Sequence, residues 1–192
     1  MSPSVNDVQW PVRSERLSIR PAVASDSDAL WRYRRLPAVT EWMSTSARDR
    51  LDFEQYFTAD DRLAKTLVIE LESEVIGDLM LAVEDAWAQT EVRDSALAVQ
   101  AELGWCLNPD FAGHGYATEA VTELIRICFH DLGLRRVTAN CFAVNEASWR
   151  LMERVGMRRE VHTVRESLHR SGVWHDGLGY ALLADEWADA AG

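Results

Sequence analysis

Residues 117–132 carry the strongest periodic signal in the chain. Ala117, Ala120, Val121, Leu124, Ile125, Cys128 and Leu132 recur at helical spacing and form one continuous apolar face. Such a face is stable only when buried against another layer, and Gly133 follows where a helix ends in a left-handed residue. Directly ahead, residues 101–107 read as a strand broken by Asn108-Pro109-Asp110, with Gly113 and Gly115 in the turn that enters the helix. Strand, glycine turn and amphipathic helix in that order require a layered domain of helices on a sheet.

The remaining pattern agrees with this. Residues 1–13 are polar with two prolines and read as a flexible arm ahead of a single domain over residues 14–192. Residues 16–20 alternate as a half-buried strand, and Ser25-Asp26-Ser27-Asp28 offers N-caps to a helix through Ala29, Leu30, Tyr33 and Arg34 that Pro37 ends. Residues 49–57 form a second helix, and residues 66–71 and 75–83 form a hairpin around Glu72-Ser73-Glu74. Residues 84–98 read either as a long loop or as a short helix. Residues 136–144 form a strand, Asn145-Glu146-Ala147-Ser148 opens a helix that Gly156 stops, and residues 161–168 pair with 179–183 through turns at Gly172 and Asp176-Gly177. Trp105, Trp149, Trp174 and Trp187 are expected in the core. The fold class is mixed α/β (α+β).

Composition removes several functions. No run of eighteen apolar residues is present, so no membrane span is expected, and the N-terminus lacks a signal sequence, which points to the cytoplasm. Three cysteines, Cys106, Cys128 and Cys141, make no disulfide framework, and no histidine stands at metal-ligand spacing, so no metal is expected. A net charge of −11 disfavours nucleic acid; it suits a cationic substrate by long-range steering, and equally a merely solubilising surface.

The turn at residues 109–118 is where chemistry is expected. The first N–H groups of a helix lack internal partners and the helix dipole places positive charge there, so glycines that let the backbone curl create a receptor for a phosphate. The absence of Gly-Lys-Ser/Thr excludes a nucleoside-triphosphate loop, and Thr118 stands where a dinucleotide fold has its third glycine. From spacing alone, a simple tight turn remains an equal alternative.

Gly113-His114-Gly115-Tyr116-Ala117-Thr118-Glu119-Ala120 closely resembles the acyl-CoA pyrophosphate loop of the GNAT (GCN5-related) N-acetyltransferases, in particular the RimJ/RimL-like branch, whose known members acetylate ribosomal-protein N-termini. Four other stretches resemble that branch in order: residues 15–21 (Glu-Arg-Leu-Ser-Ile-Arg-Pro), 102–109, 145–157 and 172–187. The resemblance implies a GNAT fold, with a mostly antiparallel mixed sheet splayed at a V-shaped cleft between two parallel strands and helices on both faces. It implies acetyl-CoA as co-substrate, no metal, and transfer of acetyl to a primary amine, either a protein N-terminal α-amine or a small amine. One departure is Ala112, where the family loop usually carries Gln or Arg.

The same resemblance assigns residues. The backbone of Gly113, His114, Gly115, Tyr116, Ala117 and Thr118 would hold the pyrophosphate, and main-chain groups at Cys106 and Leu107 would meet the pantetheine and thioester. Asn145 and Ser148 would contact the cofactor, with Ser148 as acid to the departing thiolate; capping of the helix is the compatible local reading. Glu102 is the candidate base, with water as the alternative, while Glu119 is expected to be structural. Glu41 and Trp42 are candidates for substrate recognition. A homodimer is a state the resemblance allows. A catalytically idle acyl-CoA-binding sensor or partner protein is the competing expectation.

Overall fold

The computed structural model describes residues 5–191, so the first four residues of the expected arm lie outside it. Eight strands follow the order β1-β2-β3-β4-β5-β6-β8-β7 in a mixed sheet. They are β1 (Val12–Arg13), β2 (Leu17–Pro21), β3 (Thr66–Leu71), β4 (Glu74–Glu84), β5 (Gln100–Leu107), β6 (Arg136–Phe142), β7 (Arg158–Leu168) and β8 (Trp174–Leu183). The helices are α1 (Ser27–Arg34), α2 (Pro37–Thr40), α3 (Arg50–Phe57), α4 (Asp60–Leu63), α5 (Tyr116–Arg126), α6 (Glu146–Arg154) and α7 (Ala184–Ala191). The chain divides into two compact units, one of residues 9–81 with 105–123, the other of residues 82–104 and 124–192 with the extreme N-terminus.

In the first unit, β1, β2 and β3 pair antiparallel, with Val12 opposite Ile19 and Ile19 opposite Ile69, so ordered pairing already begins at Val12. The hairpin from β3 to β4 turns through Glu72 and Ser73 at φ 49° and 71°. The α1 and α3 faces bury Leu30, Tyr33, Phe53 and Phe57 together with Val68 and Cys106, and Phe53 sits 5.3 Å from the Trp31 ring. Within this apolar cluster lies one ionic knot. Asp78, 3% exposed, accepts hydrogen bonds from Tyr33 Oη (2.6 Å) and Arg34 Nε (2.9 Å), and a second Arg34 nitrogen closes the fork. Burial, with the Asp78 charge, pushes the Tyr33 phenol well above its ordinary value. A buried carboxylate survives only when paired and hydrogen-bonded, and every Asp78 contact here is charge-assisted or buried.

Two local expectations change in this unit. Asp26 does not cap α1: its carboxylate turns back to the Val23 N–H (2.8 Å) and binds both terminal nitrogens of Arg20 (2.8 and 2.9 Å), while Arg20 Nε reaches Glu70. Pro37 not only follows the end of α1 but opens α2 at its first position, where a missing N–H costs nothing.

In the second unit, β5 and β6 run parallel, with Gln100, Ala101 and Glu102 opposite Arg136, Val137 and Thr138. β6 and β8 run antiparallel from Arg136↔Leu183 to Phe142↔Gly177. Val137, Ala139, Met152 and Ala181 are fully buried, as are Leu124, Ile125 and Cys128 on the helix that the periodicity predicts. That helix passes into a π turn over Ile127–Asp131 before Gly133 at φ +64°. Tyr180 Oη donates to Glu153 (2.9 Å), which ties β8 to α6.

Two expectations are corrected here, and one open alternative is decided. Asp176-Gly177 is no turn; it lies inside β8, opposite a bulge in β7 between Thr163 and Ser167. Asp176 fixes that bulge, accepting from Arg165 N–H (2.9 Å, φ +50°) and contacting His162 Nε2 (2.9 Å). Trp174, expected in the core, is 55% exposed at the start of β8. Residues 84–98 combine the two alternatives: a 3-10 helix (Thr90–Ala96) inside a loop closed by Ala86 N–H to Ala96 O (2.7 Å) and Ala98 N–H to Asp85 (2.9 Å). α7 was not evident in the sequence pattern. Among the described residues no helix is long and apolar enough to cross a membrane.

Two stability predictions follow from the first unit. A Cβ on Gly77 would stand 2.6 Å from the Cys106 carbonyl oxygen, a backbone atom that cannot swing away. Gly77→Ala is expected to destabilise by about 1–3 kcal/mol, read from the urea midpoint. Acid supplies the second. Burial pushes the Asp26 carboxyl upward, but Arg20 and the Val23 N–H overcome this and hold it below its ordinary 3.8. A lowered folded pKa stabilises above the unfolded value and loses that contribution as pH falls through the folded one. Thermal stability should therefore drop below about pH 4, and Asp26→Asn should flatten that part of the curve.

Candidate functional site

The glycine turn is built by successive local devices. Asn108 N–H donates to Ile76 O (2.8 Å), which ends the strand against β4, and the Asn108 side chain accepts from Asp110 N–H (3.2 Å). Pro109–Phe111 make one 3-10 turn, closed by Ala112 N–H to Pro109 O (3.0 Å). Gly113 and Gly115 both stand at φ +83°, a conformation that other residues adopt only with strain. Residues 112–115 are exposed, and α5 begins at Tyr116, with Glu119 N–H to Gly115 O (3.0 Å) as its first turn-closing bond. The N–H groups at the head of α5 thus issue from a solvent-facing loop at the positive end of the helix.

A side chain that sequence spacing did not single out braces this loop. Arg16, in the link between β1 and β2, donates Nη1 to the His114 carbonyl (3.1 Å) and Nε to Glu119 (2.7 Å). Its guanidinium lies 4.6 Å from the centre of the Tyr116 ring. Ser14 Oγ (2.7 Å) and Arg16 N–H (2.8 Å) donate to the other Glu119 oxygen. Burial would raise the Glu119 pKa; its donors, led by Ser14 and the Arg16 N–H, hold it below the ordinary value. The structural duty expected for Glu119 is this clasp. The only sequence hint of it was Arg16 in the segment resembling the family's opening strand.

The other candidates in this unit are placed as follows. The Cys106 side chain is buried in the apolar cluster, where burial pushes its thiol up to about 12, so its side chain is withdrawn from any ligand. Leu107 is half-buried near Gly77. Glu41 caps the end of α2 and is exposed, Trp42 is half-buried, and the adjacent Met43 sulfur accepts from Arg34 Nη1 (3.3 Å).

The second unit holds the remainder. Glu102 lies on β5 opposite Thr138, and its carboxylate accepts from Asn140 Nδ2 (3.0 Å). Asn145 is the N-cap of α6, accepting from Ser148 N–H (3.3 Å), and Trp149 Nε1 donates to Ala143 O (3.2 Å). The Ser148 hydroxyl is hydrogen-bonded to Cys141, whose thiol burial pushes up and Ser148 pulls back. Asn145, Ser148 and Cys141 therefore form one group, and Glu102 with Asn140 another. Among the described residues no three His, Cys, Asp or Glu side chains are grouped to hold a metal.

Comparison with known proteins gives a concordant result. A family profile described as an acetyltransferase (GNAT) domain matches residues 16–158. The putative ribosomal N-acetyltransferase YdaF of Bacillus subtilis is 40% identical over 89 residues, 46% of this chain and 48% of that protein. The chain spans about half the length of the first curated relatives it matches. The uncharacterized N-acetyltransferase p20 of Bacillus licheniformis aligns more fully, 27% identical over 183 residues, 91% of this chain and 97% of that one. A crystal structure of a GNAT-family acetyltransferase from Bacillus anthracis superposes with a TM-score of 0.76 at 26% identity, covering 91% of this chain and 98% of that chain.

The Asn145 cap is separable by experiment. Asn145→Ala should cost about 1 kcal/mol of stability through the lost cap. If Asn145 also touches a cofactor, the affinity for coenzyme A falls in the same variant; calorimetry of the folded variant distinguishes capping alone from both duties.

Proposed function

Because the chain belongs to the GNAT acetyltransferase family, we propose that it binds acetyl-CoA at the head of α5 and transfers the acetyl group to a primary amine by direct attack on the thioester. The observation that carries this reading is the exposed pair of left-handed glycines running straight into a helix N-terminus, a receptor for a pyrophosphate. The loop donors are backbone groups of residues 113–118, so Ala112 in place of the family's polar residue removes a side chain but none of these donors.

The chemistry asks for three things from the protein. The thioester oxygen must be polarised, and main-chain N–H groups at Cys106 and Leu107 are assigned to that task. The acceptor must lose a proton, because an ammonium has no lone pair; Glu102, oriented by Asn140, takes that proton directly or through water. The departing thiolate must be stabilised, and the Ser148 hydroxyl, in the first turn of α6, is assigned to it. Asn145 supports the same arm of the cofactor. A net charge of −11 draws a cationic amine toward the protein, and Glu41 and Trp42 are assigned to its recognition. The name of the Bacillus subtilis relative, a putative ribosomal N-acetyltransferase, favours a ribosomal acceptor. The chemistry fits a cytoplasmic enzyme, where acetyl-CoA and reduced thiols coexist.

The test is release of free thiol from acetyl-CoA, screened against N-terminal peptides, polyamines and other small amines. Turnover on at least one class is expected. Gly115→Asp, which sets a carboxylate against the pyrophosphate, should weaken cofactor binding roughly tenfold or more. Tight acetyl-CoA binding with no turnover on any amine would replace the enzyme by an idle acyl-CoA-binding module.

A further inference from the structure

We propose that Arg16 is a positioning residue for the acyl donor: it fixes the direction of the His114–Gly115 peptide and cancels the charge of Glu119 beside the pyrophosphate loop. This rests on the reading that the loop receives the donor's pyrophosphate.

In a trans peptide the carbonyl of one residue and the N–H of the next point in opposite directions. Arg16 Nη1 holds the His114 carbonyl at 3.1 Å, so the Gly115 N–H projects away from the guanidinium. Gly115 takes positive and negative φ with similar ease, and an added Cβ there would meet nothing closer than Arg16 Nη2 at 3.6 Å. Glycine at position 115 permits this peptide to flip, which would present an oxygen to the phosphates in place of a donor. The Arg16 bond is the lock.

Its second duty is electrostatic. Glu119 lies in the first turn of α5, where its negative charge opposes binding of an anion at the same helix end. The Arg16 fork, the Ser14 hydroxyl and the Arg16 N–H occupy its oxygens at 2.7–2.8 Å. Tyr116 supports the guanidinium from its ring face. Arg16 thus reaches the loop from another element of the fold and supplies an organising group to a loop whose own first position is Ala112.

The experiment is calorimetric titration of the full chain with coenzyme A, using wild type, Arg16→Met, Arg16→Lys, Glu119→Gln and the Arg16→Met/Glu119→Gln double variant, each checked by thermal melting. Arg16→Met should raise Kd about tenfold or more, the scale of a lost charged hydrogen bond. Arg16→Lys keeps the charge but lacks the planar fork, and should raise Kd several-fold. Removing the uncompensated carboxylate in the double variant should recover part of the loss, a rescue that mere loosening of the fold would not give. Wild-type affinity in both Arg16→Met and Arg16→Lys would overturn the proposal, as would a double variant no better than Arg16→Met. Absence of coenzyme A binding by wild type would instead overturn the proposed function itself.

Discussion

The proposed donor site depends on the positive end of α5 being left open to solvent and held in one shape. Two other helix starts are closed by their own side chains: Asn145 caps α6 and Asp49 caps α3. At α5 the chain instead arrives through two left-handed glycines, and its first-turn acid, Glu119, is turned onto Arg16 and Ser14. A helix end arranged in this way keeps its positive potential for an external anion.

Such a loop has to be carried by a rigid support, because glycine turns have little stiffness of their own. The support in its unit is the β4 strand and the apolar cluster of α1 and α3. Asn108 is bonded to Ile76, Gly77 lets the Cys106 carbonyl come close, and the neighbouring Asp78 is tied to Tyr33 and Arg34. Removing one partner of that buried knot would leave a charge without compensation, a loss on the order of 3–5 kcal/mol, so the knot holds α1 to β4 only while all of its members are present.

What the sequence revealed was local. Helical periodicity located α5, the glycines located its entry, and Asn145 with Ser148 three residues on located the start of α6, because each signal is contained within a few residues. What it concealed were pairings across long separations. Asp26 looked like a cap until Arg20 and Glu70 were in place around it. Asp176-Gly177 looked like a turn because its true task is to pin a bulge in a different strand. Arg16 stands 103 residues from Glu119, and no spacing rule links them. The base has the same difficulty: the environment of Glu102 is set by Asn140, 38 residues away.

The central claim is that the backbone amides of residues 113–118 receive the donor's pyrophosphate. Hydrogen–deuterium exchange of these amides with and without coenzyme A tests it most directly. Marked slowing of exchange at residues 113–118 on addition of coenzyme A is the result predicted. Unchanged exchange there, at coenzyme A concentrations that saturate the protein, would contradict it.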